Sequence, residues 1–285
     1  MRNIFANKFP IHGWFGIILV IIFWYLNWNL GGLRTHILFF PLWLGYILTI
    51  DAIVFFRKGS SLLSRSKTKF ILLFIISAPA WWLFELINMR TENWFYDGKQ
   101  YFTNLEYTLL ATISFSTVIP AVFSTAELVG SFKWINRLAK GNLLLPSNSN
   151  LTYFIIVGLV MLVLIILFPG YFYYLEWTAV FFILEPINYK LKNRSLFDYT
   201  AKGDWRPIIS LAVGAIICGF FWEMWNYNSY PKWNYDTPMV NFLHLFEMPM
   251  LGYLGYIPFS LELFSIYNFV TGIFKVETKS YIQIV

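Results

Sequence analysis

The residues with chemical capacity are carboxylates placed where carboxylates are expensive. Eight of the fifteen acids, Asp51, Glu85, Glu127, Glu176, Glu185, Glu223, Glu247 and Glu262, fall inside apolar stretches, and Glu106 sits near the start of another. An ionised carboxylate in hydrocarbon is costly, so each must be protonated, paired, hydrated or turned toward an interior cavity. Lysine and arginine are almost confined to the intervening loops. Protonated or hydrogen-bonded acids are then the natural outcome, and a neutral carboxylic acid is what general acid catalysis needs. Glu85 and Asn88 are three apart, as are Glu223 and Asn226, so each pair shares one face of a helix. The loops Trp94-Phe95-Tyr96-Asp97 and Trp233-Asn234-Tyr235-Asp236 follow, and His244 and Glu247 open the last apolar stretch at that same end.

This spacing gathers Glu85, Asn88, Asp97, Glu223, Asn226, Asp236 and Glu247 into one layer ringed by Trp82, Trp94, Trp222, Trp225, Trp233 and Tyr235. Acids among electron-rich rings are suited to protonating an alkene in an apolar ligand and holding the cation against indole and phenol faces. Glu223, Glu247 and Glu85 are the expected catalytic acids. Asn88, Asn226, Asp97, Asp236, His244 and the ringing aromatics are the expected substrate contacts. A hydrogen-bonded polar plug that fixes helix register would use the same residues, and Trp94, Trp233, Tyr96 and Tyr235 would also suit an interfacial aromatic belt. Asp51, Glu127 and Glu185 lie toward the other ends of their helices, where hydration or a nearby basic residue is an alternative.

The elements that position these groups follow from composition. The 285 residues are 58% hydrophobic, 21% aromatic and 13% charged, against about 25% charged in soluble domains. The expected class is an all-α polytopic integral membrane protein. Apolar windows predict eight spans, at about 13–31, 36–56, 69–89, 104–130, 151–169, 171–188, 206–227 and 238–273. Pro249, Gly252, Gly255 and Pro258 divide the last into two pieces joined by a kink. The first is too long for a signal peptide, lacks a small-residue cleavage site and is expected to stay attached. Of 21 lysines and arginines, 17 fall on the side holding the N-terminus, 57–69, 131–150, 189–206 and the tail; Arg34, Arg90, Lys99 and Lys232 fall on the other. The bias places both termini in the cytoplasm, in a bacterial inner membrane.

Several partners drop out. Basic and aromatic residues do not interleave as a nucleic-acid groove requires. The single cysteine, Cys218, excludes disulfides and thiolate metal sites, and His12, His36 and His244 are too far apart for a histidine-based centre. Aspartate-rich diphosphate motifs, Gly-x-Ser-x-Gly, a Gly-rich phosphate loop and His-Glu-x-x-His are missing. No cofactor and no metal are expected, although Glu and Asn oxygens leave a magnesium or calcium site open. The oligomeric state is open too.

The two halves match. Trp43 and Asp51 are eight apart, as are Trp177 and Glu185; Ser61-Leu62 and Ser195-Leu196 follow at equal distances from their acids. Phe84-Glu85-Leu86-Ile87-Asn88 aligns with Trp222-Glu223-Met224-Trp225-Asn226, and the two Trp-x-Tyr-Asp loops come next. Ile119-Pro120 with Glu127-Leu128 resembles Ile257-Pro258 with Glu262-Leu263, at a spacing three residues shorter. The expected organisation is two parallel four-helix repeats, 1–140 and 141–285, with a ligand cleft between them.

On these residues a family resemblance appears. Trp222-Glu223, Trp233-Asn234-Tyr235 and Phe246-Glu247-Met248-Pro249 resemble, in order, motifs of the small membrane-embedded lycopene cyclases of bacteria, archaea and fungi. About 50 residues per half are covered. The resemblance implies an isomerase of carotenoid biosynthesis with an apolar isoprenoid or lipid substrate. The family's Pro-x-Glu-Glu run stands here as Glu-Met-Pro, and three spans per repeat are expected there against four here. Gly203–Arg206, Phe220–Asn226 and Glu247–Phe259 also look like stretches of an uncharacterised bacterial integral membrane family, which implies no mechanism. Two rivals remain: a proton- or cation-coupled transporter, marked by parallel repeats and buried acids, and a non-catalytic lipid-binding or scaffold protein.

Overall fold

The computed structural model describes residues 8–284 and is nearly all helical. In chain order the helices are α1 (Ile11–Asn29), α2 (Thr35–Lys58), α3 (Leu62–Arg65), α4 (Lys67–Thr91), α5 (Asn104–Phe115), α6 (Val118–Gly130), α7 (Asn148–Leu167), α8 (Pro169–Phe172), α9 (Ala179–Lys190), α10 (Phe197–Thr200), α11 (Arg206–Tyr227) and α12 (Tyr256–Ile273). The described residues also form four short strands, β1 (Trp94–Asp97), β2 (Lys232–Tyr235), β3 (His244–Leu245) and β4 (Met248–Pro249), and short 3-10 turns.

Among the described residues, six helical segments are long and apolar enough to cross a membrane: α1, α2, α4, α5 with α6, α7 and α11. The other two expected spans differ from simple helices. Residues 173–177 form a 3-10 helix between α8 and α9, so the sixth span is continuous α-helix only over α9. The eighth is not a kinked helix: 236–255 holds a loop with positive φ at Met239, Leu243 and Phe246, the paired β3 and β4 and a 3-10 turn over 250–255, and α-helix begins only at Tyr256. Proline and glycine interrupt the hydrogen-bond ladder there. α12 is long enough to cross but buries Glu262, Ser265, Asn268 and Thr271, which lower its apolarity.

Packing follows side-chain size. α1 and α7 are peripheral and expose apolar faces, Ile18, Ile21 and Ile22 on one and Ile156, Leu159 and Val163 on the other. Without a hydrophobic force between helices in lipid, close approach depends on small residues. A Cβ at Gly16 would come 2.7 Å from the Gly45 carbonyl oxygen, and one at Gly158 would come 2.9 Å from that of Ala179, so α1 lies against α2 and α7 against α9 backbone to backbone. Trp43, Phe84, Phe123, Trp225, Phe259, Phe264 and Tyr267 form the buried centre. The break between α5 and α6 is repaired by Ser77, whose hydroxyl donates to Phe115 O at 2.6 Å and accepts from Ile119 N at 3.0 Å, as membrane-depth backbone requires.

Both described ends of the chain meet the α2–α3 corner. His12 reaches Asp51 at 3.1 Å, and Arg65 Nε donates to Tyr281 O at 2.6 Å. The tail buries Ile282 and Ile284 there.

Candidate functional site

Both halves build the same anchor below their acid. Asn88 Nδ2 donates to Trp94 O (2.8 Å) and Trp94 N donates to Asn88 Oδ1 (3.1 Å). Asn226 does the same with Trp233, at 2.7 and 2.9 Å. A side-chain amide offers a donor and an acceptor side by side, as a peptide does, so each asparagine ties the strand after its helix to the helix end. β1 and β2 then pair antiparallel, Trp94 opposite Tyr235 and Tyr96 opposite Trp233.

The strands aim their tyrosines back at the acids. Tyr235 OH donates to Glu223 Oε1 at 2.7 Å and Tyr96 OH to Glu85 Oε1 at 2.6 Å. The carboxylates then diverge. Glu85 Oε1 also receives Trp81 Nε1 and Trp94 Nε1, each at 3.0 Å. Glu223 Oε1 receives Tyr256 OH at 2.8 Å, and its Oε2 is buried with no partner.

Glu223 lines a cavity of about 530 Å³ between the halves, within the size range of small-ligand sites. Its walls are mainly aromatic: Trp81, Trp94, Trp177, Trp222, Trp233 and Phe259 among them. Trp94 and Trp177 are stacked at 5.5 Å, and Trp222 stacks on Tyr256 at 5.9 Å.

Of the residues expected from sequence, Glu223, Trp94, Trp222, Trp233 and Tyr235 face this cavity together. Glu85 stands behind its Trp and Tyr donors, and Asn88 and Asn226 are spent on strand anchoring. Trp82 Nε1 donates to Thr112 Oγ1 at 2.9 Å, away from the cavity lining. Trp225 packs into the core against Trp43, with ring centroids 5.0 Å apart. Asp97, Asp236 and His244 are exposed; Asp97 accepts from Asn234 Nδ2 at 2.6 Å and His244 meets Asn241 Oδ1 at 2.8 Å. Glu247 forms an ion pair with Lys232. The single layer thus separates into a cavity wall and a polar rim.

The acids at the opposite end are architectural. Asp51 accepts from Ser61 Oγ (2.7 Å) and Leu63 N (3.0 Å) at the start of α3. Glu185 accepts from Ser195 Oγ (2.6 Å) and Phe197 N (3.4 Å) at the start of α10. Glu127 and Glu262 are not equivalent. Glu127 pairs with Arg65, whereas Glu262 receives Val180 N at 2.9 Å, as the unequal spacing in sequence allows. Two of the buried acids therefore do have basic partners, Glu127 in Arg65 of the short helix α3 and Asp51 in His12 of α1.

Tyr256, Trp177 and Phe259 are cavity residues that motif reading missed. Tyr256 stands in Gly255-Tyr256-Ile257-Pro258 at the start of α12, and that helix start was the available signal. Among the described residues, no group of three or more His, Cys, Asp or Glu is placed to hold a metal ion. No protein-family model matches the sequence, and no curated protein or solved structure matches it significantly.

Proposed function

We propose that the protein is a membrane-embedded enzyme that protonates a carbon–carbon double bond of an apolar isoprenoid or lipid, in the manner of a carotenoid cyclase, with Glu223 as the acid. The observation that carries this reading is Glu223 Oε2: a buried carboxyl oxygen without a partner, on a residue lining an aromatic-walled cavity. Two phenols already occupy Oε1, so a proton on Oε2 is the one the group has to give.

The step balances without a cofactor. The π pair of the alkene takes the Oε2 proton, leaving a tertiary cation and the Glu223 carboxylate. A neighbouring double bond attacks the cation and closes a ring, and a C–H proton beside the new cation returns to Glu223. The sum is an isomerisation. Indole faces of Trp94, Trp177 and Trp222 stabilise the cation, as aromatic quadrupoles do. Glu85, held by three donors, is the non-reacting counterpart.

The same reading takes the chain as two parallel four-helix repeats in a bacterial inner membrane, with the α2–α3 corner cytoplasmic. Eight crossings result if α9 with 169–178 and α12 cross beside the six apolar helices. The matched asparagine anchors, the matched Asp51 and Glu185 caps and the β1–β2 pairing support the repeat; the lysine and arginine bias supports the orientation.

The test is expression in bacterial cells that accumulate lycopene, followed by pigment analysis. Cyclised product is expected from the parent, and none from Glu223→Gln, which keeps shape but cannot donate a proton at neutral pH. Product from a folded Glu223→Gln would remove the acid role. Proton-coupled uptake by the purified protein in vesicles, with no product, would favour a transporter.

A further inference from the structure

One wall of the aromatic cavity carries polar atoms that nothing in the protein satisfies. Asn93 and Thr237 both line the cavity and are 3% and 4% exposed, yet Asn93 Oδ1 and Thr237 Oγ1 have no hydrogen-bond partner. Their backbones are tied together by Asp236 N donating to Asn93 O at 2.8 Å. Tyr173, on the same wall, is already used: its hydroxyl donates to Pro238 O at 2.9 Å.

The facing of the Asn93 amide is fixed from behind. Buried Glu176 accepts Asn93 Nδ2 at 2.7 Å on one oxygen and Thr91 Oγ1 at 3.0 Å on the other. With Nδ2 given to Glu176 Oε1, Oδ1 is the atom of the amide left over. The residues of this wall therefore leave over an amide oxygen, a pure acceptor, and a hydroxyl that can give or take.

We infer that the ligand is amphipathic, an isoprenoid alcohol whose hydroxyl sits against Asn93 and Thr237 while its chain lies along the aromatic walls. This deepens the isoprenoid reading above and rests on it. A hydroxyl meets both needs, giving its hydrogen to Asn93 Oδ1 and accepting one from Thr237. A diphosphate or carboxylate brings only acceptors to Asn93 Oδ1 and is disfavoured. A hydrocarbon such as lycopene meets the aromatic walls but leaves both atoms unmet, so it is held at the same site less tightly than an alcohol, because buried polar groups without partners are costly.

The experiment uses the full chain in lipid nanodiscs and compares geranylgeraniol with its methyl ether and its diphosphate by displacement of labelled geranylgeraniol. The ether keeps the chain but cannot donate to Asn93. The alcohol is expected to bind about tenfold more tightly than the ether, the worth of roughly one buried hydrogen bond, and the diphosphate more weakly than the alcohol. Thr237→Val should weaken alcohol and ether together, because the oxygen of each accepts from Thr237, and leave the alcohol's advantage at Asn93 intact, while Thr237→Ser should keep the binding of both. Equal binding of alcohol and ether, as bound water at Asn93 would give, overturns the hydroxyl assignment and leaves the isoprenoid reading standing. Tighter binding of the diphosphate also overturns the assignment. Failure of both alcohol and ether to bind overturns the two together.

Discussion

Phe95 lies directly opposite Asn234 in the β1–β2 ladder, and the match of Trp94–Asp97 with Trp233–Asp236 in sequence makes each the counterpart of the other. Trp94 faces the counterpart of Tyr96, and Tyr96 faces the counterpart of Trp94. A pairing in which residues exchange places around one central pair is what a two-fold operation generates. It also explains why the cavity has walls from both halves: the strands that carry Tyr96 and Tyr235 toward their acids are the strands that join the halves.

The central pair can be tested directly. Opposed residues of an antiparallel pair have Cα atoms about 4.5–5.5 Å apart, inside the range a disulfide spans. Phe95→Cys with Asn234→Cys should therefore lose both free thiols on mild oxidation, read by mass after alkylation. Phe95 is half exposed, and the one native cysteine, Cys218, is buried and should not compete. Persistence of both free thiols would contradict the register.

The asparagine anchors should carry stability. Asn88→Leu or Asn226→Leu removes two hydrogen bonds and strips partners from a strand amide and carbonyl, a cost of about 1–3 kcal/mol. Thermal unfolding in detergent should show a lowered midpoint for each. An unchanged midpoint would mean that the strand holds without the side chain.

Much of this arrangement was legible in the sequence because rare residues carried it. Tryptophan, asparagine and acid at repeated spacing pointed to the Asn88 and Asn226 helix ends and to Glu223. Spacing could not separate residues on one helix face from residues on one cavity. Asp97, Asp236 and His244 share the end of the molecule with Glu223 but lie on its rim, and Trp225 shares its helix but faces the core. The break from α-helix over 236–255 was hidden by that segment's apolarity, which hydropathy reads as span. Tyr256 was hidden because its role is set by tertiary approach of α12 to α11, not by local pattern.

At the opposite end, Arg65 and Glu127 form a buried ion pair that also receives Gln283 N from the tail at 2.6 Å. Removing one partner of such a pair leaves an uncompensated charge and costs about 3–5 kcal/mol, whereas removing both costs much less. Arg65→Leu should lower the unfolding midpoint sharply, and adding Glu127→Leu should restore part of it. Additive losses in the double variant would show that the two are not coupled.

Glu277 in the tail accepts Ser280 N at 2.8 Å and the Ser280 hydroxyl at 2.5 Å, with Lys69 beside it. The Ser280 hydroxyl chiefly holds its carboxyl down at about 2. A depressed carboxyl contributes to tail docking above the ordinary glutamate range of about 4.3, and that contribution is lost as pH falls through about 2. A carbon-detected NMR titration should find Glu277 titrating well below the other exposed glutamates, and Ser280→Ala should move it up toward them. A normal titration in the parent would mean that the tail turn does not persist in solution.

The final prediction concerns the side from which a ligand meets Glu223. The α2–α3 corner, residue 12 and the tail lie at one end of the bundle, where Arg57, Lys58, Arg65 and Lys69 cluster; β1 and β2 lie at the other, near Lys99 and Lys232. Cytoplasmic loops carry the excess of lysine and arginine, and 17 of 21 fall on the first end by sequence. Reporter fusions after residues 62 and 145 should therefore signal cytoplasm, and one after residue 99 the opposite face. That outcome would place the cavity near the outer leaflet, so an isoprenoid would enter sideways from lipid and not from the cytosol. Reversed signals at all three positions would turn the molecule over and place Glu223 near the inner leaflet instead.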